Sequence, residues 1–361
     1  MEKKDVILSV RNLDVSFKTT AGEIHALRGV DFDVPRGKTI AIVGESGSGK
    51  SVTVKTAIGI LDSNGCINSG SAEFNYARES GEVINLDLLK LSQKEMRRHI
   101  NGKRIAMVFQ DPMTSLNPTM TVGDQITESL ILHYNTPKAE AAKRAVELLD
   151  LVGILDPEKR VKNYPHQLSG GMRQRVVIAI ALSCNPDLLI CDEPTTALDV
   201  TIQAKILELI KDVQEKLGIS VIYITHDLGV VAKVADFVYV MYAGKIVEKG
   251  EIDEIYYDPH HPYTWGLLSA LPDLDTRDER LYTIPGSPPN LLHEVSGDAF
   301  APRNEFALRI DDYAEPPMFP ISETHYAATW LLDPRAPKVE MPQELRARIG
   351  RMLKEEGPKN G

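Results

Sequence analysis

The sequence of 361 residues has few cysteines and no cysteine motif. Cys66, Cys184 and Cys191 lie far apart, without C-x-x-C spacing. This spacing argues against a zinc site or a disulfide framework and favours a reducing compartment. We expect all three to be buried thiols.

Long apolar runs are missing as well. No stretch approaches the roughly 18 to 20 apolar residues that a membrane-spanning helix needs. The first residues, MEKKDVILSVRN, lack the apolar segment of a signal peptide. We therefore expect a cytoplasmic chain that reaches a membrane only through a partner protein.

Basic residues are not in excess. The 41 Lys and Arg residues face 51 Asp and Glu residues, for a net charge of -10, and no basic cluster offsets it. Such a charge repels nucleic acid and anionic lipid, so no nucleic-acid partner is expected. The hydrophobic content of 43% and the charged content of 25% are typical of soluble globular domains.

The apolar pattern predicts an α/β fold. Residues 5–17 and 24–34 alternate apolar and polar side chains, which favours a small antiparallel sheet. Short, wholly apolar runs are typical of a parallel sheet that is buried on both faces. These runs are TIAIV (39–43), IAMVF (105–109), LLIC (188–191), VIYIT (221–225) and FVYVMY (237–242). Between them lie helical patterns, such as the apolar stripe of residues 206–217.

Two segments depart from this alternation. Residues from about 112 to 184 show helical patterns without a convincing strand, and Ala142, Val146, Leu149 and Val152 share one predicted helix face. We interpret the segment as a helical insertion in a domain of residues 1–250. Fourteen of the 22 prolines follow residue 250, so residues 251–361 are predicted to form a separate C-terminal domain without long regular elements.

The strand TIAIV is followed by GESGSGKS, which fits the phosphate-loop pattern G-x-x-x-x-G-K-[ST] between a strand and a helix. Backbone N–H groups of such a loop surround a β-phosphate, its lysine reaches the β and γ oxygens, and its Ser hydroxyl binds Mg²⁺. A plain glycine-rich turn is the alternative. The candidate nucleotide-binding residues are Gly44, Glu45, Ser46, Gly47, Ser48, Gly49, Lys50, Ser51 and Val52.

Polar residues also end three other predicted strands. Asp192 is the candidate Mg²⁺ ligand and Glu193 the candidate group that polarises the attacking water. Gln110 is a candidate contact to the metal or the water, and His226 a candidate contact to the γ-phosphate. The carboxyl ends of parallel strands meet at one edge, where ligands collect in open α/β folds. The alternatives are a solvated strand end for the two acids and for Gln110, and a capping residue for His226.

The motif LSGGMRQR (168–175) places Ser169, Gly170 and Gly171 before a predicted helix. Backbone N–H groups at a helix N-terminus can bind an anion. No lysine loop or strand precedes this one, so the sequence predicts half of a phosphate site.

In this order, GESGSGKS, Gln110, LSGGM, LLICDE, the ALD of 197–199 and His226 resemble the nucleotide-binding subunits of ATP-binding cassette transporters, over residues 5–250. The resemblance implies two cassettes packed head to tail, in which Ser169, Gly170 and Gly171 contact the ATP held by the partner's loop and Asp199 crosses the interface. Met172 stands where the family often has Gln, with little expected effect. Phe17 is the candidate for stacking on adenine, and core burial is its alternative.

Further segments resemble the ATPase subunits of bacterial oligopeptide importers, in the peptide and nickel branch. These are QDPMTSLNP, DEPTTALDVTIQAKIL, THDLGVVA, HPYTWGLLSALP and IPGSPPN. The resemblance implies ATP and Mg²⁺ as cofactors, a second, F-type ATPase subunit in a heterodimer, two transmembrane permease subunits, and an extracellular peptide-binding protein that acts indirectly. It places the chain at the cytoplasmic face of the membrane. A homodimer, and dipeptide, nickel or glutathione as cargo, stay open.

Many members of this branch carry four C-terminal cysteines suited to an iron-sulfur cluster. Here Asp298, Asn304, Ile310 and Thr329 occupy those positions, so we expect no cluster. His260 and His261 are more typical of a proline-flanked loop than of a metal site. A cassette ATPase that acts on nucleic acid, and a nucleotide-regulated scaffold without turnover, are the alternative functions.

Overall fold

The computed structural model describes residues 5–77, 81–110, 112–194, 199–271 and 284–356. Asp111, Ala197, Leu198 and Pro272, which belong to motifs quoted above, lie outside these residues. The strands are β1 (Val6–Thr19), β2 (Gly22–Pro35), β3 (Thr39–Val43), β4 (Gly65–Ala77), β5 (Val83–Asp87), β6 (Ile105–Val108), β7 (Leu188–Asp192), β8 (Ser220–Thr225), β9 (Phe237–Tyr242), β10 (Lys245–Glu251), β11 (Phe319–Pro320) and β12 (Tyr326–Ala327). The helices are α1 (Lys50–Ala57), α2 (Gln93–Glu95), α3 (Pro112–Ser115), α4 (Val122–Tyr134), α5 (Lys138–Leu151), α6 (Pro157–Arg160), α7 (Gly170–Leu182), α8 (Val200–Leu217), α9 (Leu228–Val231), α10 (Ile252–Tyr257), α11 (Pro262–Ser269) and α12 (Gln343–Glu356).

The larger sheet has the strand order β11-β12-β10-β9-β3-β8-β7-β6. Its strands β9, β3, β8, β7 and β6 are parallel, and they are the five apolar runs predicted from the sequence. One face packs against the antiparallel sheet and α1, and the other packs against helices such as α7 and α8, which explains why β3, β7 and β8 are buried along their whole length. The prediction of an α/β fold with a parallel core is confirmed. Phe109, assigned to a strand above, lies beyond the end of β6 and is exposed.

The smaller sheet is antiparallel, with the order β2-β1-β4-β5. The first two strands match the predicted alternating segments, whereas β4 and β5 were not predicted. The expectation that Cys66 is buried is wrong, because the first half of β4 is exposed. Cys184 and Cys191 are buried, as expected.

Between residues 112 and 184 the structure has helices α3–α7 and, among the described residues, no strand. The predicted face of α5 is confirmed at Leu149 and Val152, which are buried, and is one residue out of register at Ala142 and Val146. Ala142 is exposed, and the buried side chains of the helix are Ala141, Ala145, Leu148 and Leu149. Ala145, Leu148 and Leu149 pack with α4, α7 and α8 beside the parallel sheet. Of the α8 stripe, Ile206, Leu209, Ile210 and Val213 are buried and Leu217 is exposed at the helix end.

The C-terminal region continues the larger sheet. Its strand β12 pairs with β10, antiparallel, through Glu248 with Ala327 and Lys249 with Tyr326. One hydrophobic cluster joins side chains of β3 and β9 to side chains after residue 250, including Trp265, Phe300, Leu345 and Ile349. The expectation that this region lacks long regular elements is wrong for α12, which spans 14 residues. The domain boundary near residue 250 stays a prediction.

None of the helices in the described ranges combines the length and apolar character needed to cross a bilayer.

Candidate functional site

Four neighbouring strands bring polar residues to one edge of the parallel sheet. In the order β3, β8, β7 and β6, their carboxyl ends are followed by the glycine-rich loop, His226, Glu193 and Gln110. Asp192 is the last residue of β7. Parallel strands end at the same edge, so residues that are far apart in sequence become neighbours here.

The loop between β3 and α1 depends on glycine at three positions. Gly44, Gly47 and Gly49 have φ values of 152°, 79° and 104°, which favour residues without a Cβ atom. At Gly44 the packing adds a second reason, because a Cβ atom would lie 2.1 Å from the carbonyl oxygen of Met241 on β9. The loop therefore keeps its shape through both backbone conformation and contact with β9.

Lys50 begins α1 and is buried. Its Nζ donates to the carbonyl oxygens of Gly44, at 2.7 Å, and Glu45, at 2.9 Å. Burial lowers the pKa of Lys50, and the carboxylates of Glu193, Asp192 and Glu45 oppose that shift. The ammonium group is thus held inside the loop, next to the N–H groups of the first turn of α1, which have no partners within the helix. An anion would match this concentration of donors.

The Oγ atom of Ser48 supplies a test of that match. It is buried and has no hydrogen-bond partner within the described residues. A buried hydroxyl without a partner is costly, and a phosphate oxygen would satisfy it. The loop residues therefore fit a nucleotide phosphate.

Ser51 and Asp192 form the candidate metal site. Ser51 Oγ donates to Asp192 Oδ1 at 2.8 Å, across 141 residues of sequence. Burial raises the pKa of Asp192, while this hydrogen bond and the nearby lysines Lys55 and Lys50 lower it. A hydroxyl and a carboxylate are oxygen ligands of the kind that Mg²⁺ prefers, so the pair fits a magnesium ion.

Glu193 lies between the ends of β6 and β8. Gln110 Nε2 donates to its Oε2 at 3.1 Å, and His226 Nδ1 lies 3.4 Å from its Oε1. The residue has a φ of 46°, uncommon outside glycine, and its N–H donates to the carbonyl of Ile224 at 2.9 Å. The side chain of Glu193 thus lies beside Gln110 and His226. The structure thus brings together all four polar strand ends that the sequence singled out.

Ser169, Gly170 and Gly171 form the N-terminal end of α7. Ser169 is exposed and caps the helix, accepting a hydrogen bond from the N–H of Met172 at 3.4 Å. Among the described residues, no hydrogen bond or ion pair joins this turn to residues 44–52. Asp199 is likewise exposed and caps α8, accepting from the N–H of Ile202 at 3.0 Å. The two caps are close, because a Cβ atom at Gly171 would lie 2.9 Å from Ile202 Cγ2.

Phe17 is half-buried near the end of β1 and packs against the core cluster. A Cβ atom at Gly65 on β4 would lie 3.0 Å from its ring. This position is compatible with both interpretations of Phe17, so its stacking on adenine stays a prediction.

Sequence reasoning missed three residues that hold the second residue of the loop. The two terminal nitrogens of Arg303, Nη1 and Nη2, donate to the carboxylate of Glu45. The backbone N–H of Glu45 donates to the hydroxyl of Tyr263 at 2.8 Å. Tyr242, at the end of β9, is 3.3 Å from Arg303 Nη1. Tyr263 stands in the quoted motif HPYTWGLLSALP, but no sequence pattern indicates that Arg303 reaches the loop.

The four positions at which the resemblance implies cysteines do not present thiolates here. Asp298, Asn304 and Thr329 accept hydrogen bonds from backbone N–H groups two residues further on, and Ile310 is exposed. An iron-sulfur cluster, which needs thiolates, does not fit these residues. Nearby, His261 is buried and caps α11, which agrees with the structural interpretation of that histidine. The possible ligand atoms of His260, Asp258 and His325 lie within 4.8 Å of one another, so the interpretation of His260 stays a prediction.

Comparison with known proteins decides the family. The profile of the ABC transporter family matches residues 14–196, from the antiparallel sheet to just beyond Glu193. The chain belongs to the ABC transporter family. Residues 247–310 match a second family, the C-terminal region of oligopeptide/dipeptide transporters. An ABC transporter cassette binds ATP, which accounts for the phosphate loop.

Curated ABC transporter subunits resemble the chain along its length. The oligopeptide transport ATP-binding protein OppD of Bacillus subtilis is 57% identical over 349 residues, which cover 96% of this chain and 94% of that protein. The dipeptide transport ATP-binding protein DppD of Lactococcus lactis is 53% identical, over 99% of both chains. The oligopeptide transport protein AmiE of Streptococcus pneumoniae is 51% identical, over 94% of both.

Among solved structures, the chain is similar to a dimeric ATP-binding cassette in a post-hydrolysis state, bound to ADP and phosphate. The TM-score is 0.57 at 28% identity, covering 68% of this chain and 98% of that one. This coverage agrees with a complete ABC cassette followed by an additional C-terminal region.

Proposed function

We propose that this chain is the ATP-hydrolysing subunit that energises an importer of oligopeptides, held at the cytoplasmic face of the membrane by permease subunits. The observation that carries the proposal is the 57% identity to an oligopeptide transport ATP-binding protein over 96% of the chain. The match includes the C-terminal region, so the likeness extends beyond the cassette that transporters of many kinds share.

In this proposal the loop from Gly44 to Val52 binds the phosphates of ATP. Its N–H groups and Lys50 supply positive charge, and Ser51, Asp192 and Gln110 would hold Mg²⁺. The ion would supply a Lewis acid that neutralises charge on the phosphate oxygens. The buried Ser48 hydroxyl and the 2.8 Å contact between Ser51 and Asp192 support this assignment.

Glu193 is the proposed general base for the attacking water. A general base must be oriented by its neighbours, and Glu193 is the one acid in the candidate site that contacts both Gln110 and His226. We assign to His226, half exposed beside it, a contact to the γ-phosphate. Gln110 would then contact both the Mg²⁺ ion and the carboxylate of Glu193.

The second half of the ATP site would come from another cassette. The cap formed by Ser169, Gly170 and Gly171 is exposed, and the first N–H groups of α7 have no partners within the helix. Within the described ranges, no hydrogen bond or ion pair joins this cap to the phosphate loop of its own chain. The dimeric state of the ADP-bound cassette supports this arrangement. The partner we propose is an F-type ATPase subunit, with Asp199 at the interface and two transmembrane permeases attached.

The test is peptide uptake in a strain from which the coding sequence is deleted. The wild-type chain should restore uptake of labelled oligopeptides, and the Lys50→Ala variant should not. Unchanged oligopeptide uptake in the deletion strain would contradict the proposal. Co-purification with membrane subunits identifies the partners, and recovery of a single type of ATPase subunit would replace the heterodimer with a homodimer.

Dipeptide import is the second candidate, favoured by the 53% identity to a dipeptide transport ATP-binding protein. Uptake of labelled dipeptides and of labelled oligopeptides, each measured in the deletion strain with and without the wild-type chain, separates the two. If the chain restores dipeptide uptake and not oligopeptide uptake, dipeptides are the cargo.

A further inference from the structure

We propose that Arg303, in the C-terminal region, is a positioning residue for the nucleotide site. Its ion pair with Glu45 fixes the second residue of the phosphate loop and neutralises a carboxylate that would otherwise face ATP. The inference rests on the proposed function, since it assumes that the loop binds ATP. If the inference is correct, nucleotide binding depends on the packing of the C-terminal region against the phosphate loop.

The contact between Arg303 and Glu45 is bidentate and spans 258 residues of sequence. Arg303 Nη1 lies 2.6 Å from Glu45 Oε2, and Nη2 lies 3.0 Å from Oε1. The Arg303 side chain is only 4% exposed. Two parallel charge-assisted hydrogen bonds with little exposure to water are stronger and more directional than a surface ion pair.

Arg303 is itself held in place from the C-terminal region. Its Nε donates to the carbonyl of Pro285 at 2.8 Å, and its guanidinium carbon lies 5.7 Å from the ring centre of Tyr242. The guanidinium therefore has one orientation, set by residues 284–285 and by the end of β9. A displacement of residues 284–285 would therefore also displace the guanidinium that pairs with Glu45.

Glu45 links the C-terminal region to Lys50. Its side chain binds Arg303, its N–H donates to Tyr263, and its carbonyl accepts from Lys50 Nζ at 2.9 Å. The paired groups of Glu45 thus link the lysine of the phosphate loop with the C-terminal region. The shape of the loop and the position of its lysine depend on both contacts.

Removing the cation would leave a carboxylate without its partner beside a site for a triphosphate. Like charges repel strongly in a partly buried site, because water screens them poorly. The cost would fall on ATP binding and much less on the chemical step, because Glu193 is oriented by Gln110 and His226 at the ends of β6 and β8.

The experiment measures binding of a fluorescent ATP analogue to the full-length chain, and then ATP hydrolysis by the assembled transporter. In Arg303→Gln we expect the Kd and the KM for ATP to rise about tenfold, with kcat nearly unchanged. Adding Glu45→Gln to Arg303→Gln removes the unpaired charge and should return most of the lost affinity. Arg303→Lys keeps the charge without the bidentate geometry. Its Kd and KM for ATP should lie between those of wild type and those of Arg303→Gln.

Arg348→Gln is the matched control. Arg348 also ties the C-terminal region together, by donating to the carbonyls of Leu268 and Leu271 at 3.2 and 2.7 Å, which lie in and just after α11 rather than in the phosphate loop. Its KM should equal that of wild type. The inference would be overturned if the KM of Arg303→Gln were unchanged or if the KM of Arg348→Gln rose equally. It would also be overturned if the double variant bound ATP no more tightly than Arg303→Gln. A wild-type chain that binds no nucleotide would instead remove the proposed function.

Discussion

At the scale of single residues, the candidate site separates binding from chemistry. Lys50 lies inside the phosphate loop, whereas Glu193 lies between Gln110 and His226 at the neighbouring strand ends. Substitution of Lys50 should therefore change nucleotide binding, whereas substitution of Glu193 should change the rate of hydrolysis.

We expect Glu193→Gln to bind ATP normally and to lower its turnover by about 100-fold to 10,000-fold, the usual contribution of a general base. Lys50→Ala should instead weaken nucleotide binding by roughly 10-fold to 100-fold, because a buried charge-assisted contact is lost. Equilibrium binding and single-turnover hydrolysis measure the two effects separately. Lys18→Ala, on the exposed end of β1, is the control, and normal turnover by Glu193→Gln would exclude that residue as the base.

Asp298 gives the C-terminal region a pH-dependent stability. Burial raises its pKa from 3.8 to about 6, and the nearby carboxylates of Asp311 and Glu315 add to the shift. The folded chain therefore binds more protons than the unfolded chain between these two values. The stability that this group contributes is present below pH 3.8 and is lost as the pH rises through about 6.

Asp298→Asn keeps an oxygen that can accept from the N–H of Phe300 and removes the buried charge. At pH 7 we expect it to raise the free energy of unfolding by up to about 3 kcal/mol, with a much smaller gain near pH 4. Denaturant titrations at the two pH values measure the difference. The exposed neighbour Asp312→Asn serves as control, and a gain of equal size at both pH values would contradict the explanation.

At the scale of elements, α7 carries both a cap and the proposed contact to the partner's nucleotide. We expect Ser169→Arg to abolish most ATP hydrolysis in the assembled transporter, because the side chain would fill the space in front of the exposed turn. Loss of the cap alone costs about 0.5 to 2 kcal/mol of stability. Thr121→Arg is the matched control, since Thr121 caps the nearby α4 in the same way.

ATPase activity and thermal unfolding of both variants distinguish the two effects. Ser169→Arg should lose activity and Thr121→Arg should keep it, while their unfolding midpoints fall by similar amounts. Equal activity in both variants would remove the shared-site proposal. We avoid Gly171 in this test because a side chain there would clash with Ile202 within the same chain.

At the scale of the whole molecule, the C-terminal region and the cassette share one core. Strand β12 extends the parallel sheet through β10, and Trp265, Phe300, Leu345 and Ile349 pack with residues of β3 and β9. Burying such a side chain contributes about 1.5 to 3 kcal/mol, so four of them are worth as much as the net stability of a typical domain, about 5 to 15 kcal/mol.

We therefore expect the full chain to unfold in one cooperative transition. A fragment ending at residue 271 keeps Trp265 but loses Phe300, Leu345 and Ile349, so we expect it to be destabilised by about 4 to 9 kcal/mol. Calorimetry on both proteins measures this. A shorter deletion that removes only residues 357–361 is the control. Two separate transitions in the full chain would show that the cassette and the C-terminal region are energetically independent.

The sequence by itself determined the local features of this protein. The five apolar runs predicted the strands of the parallel core, and the residues that follow them predicted the polar edge, because the ends of neighbouring parallel strands meet whatever the remaining packing is. Only the tertiary structure decided that Cys66 is exposed, that the buried face of α5 includes Ala141 and Ala145, and that Arg303 holds Glu45. Such contacts join segments up to 258 residues apart, and their geometry depends on how every intervening element packs, which no local pattern of residues encodes.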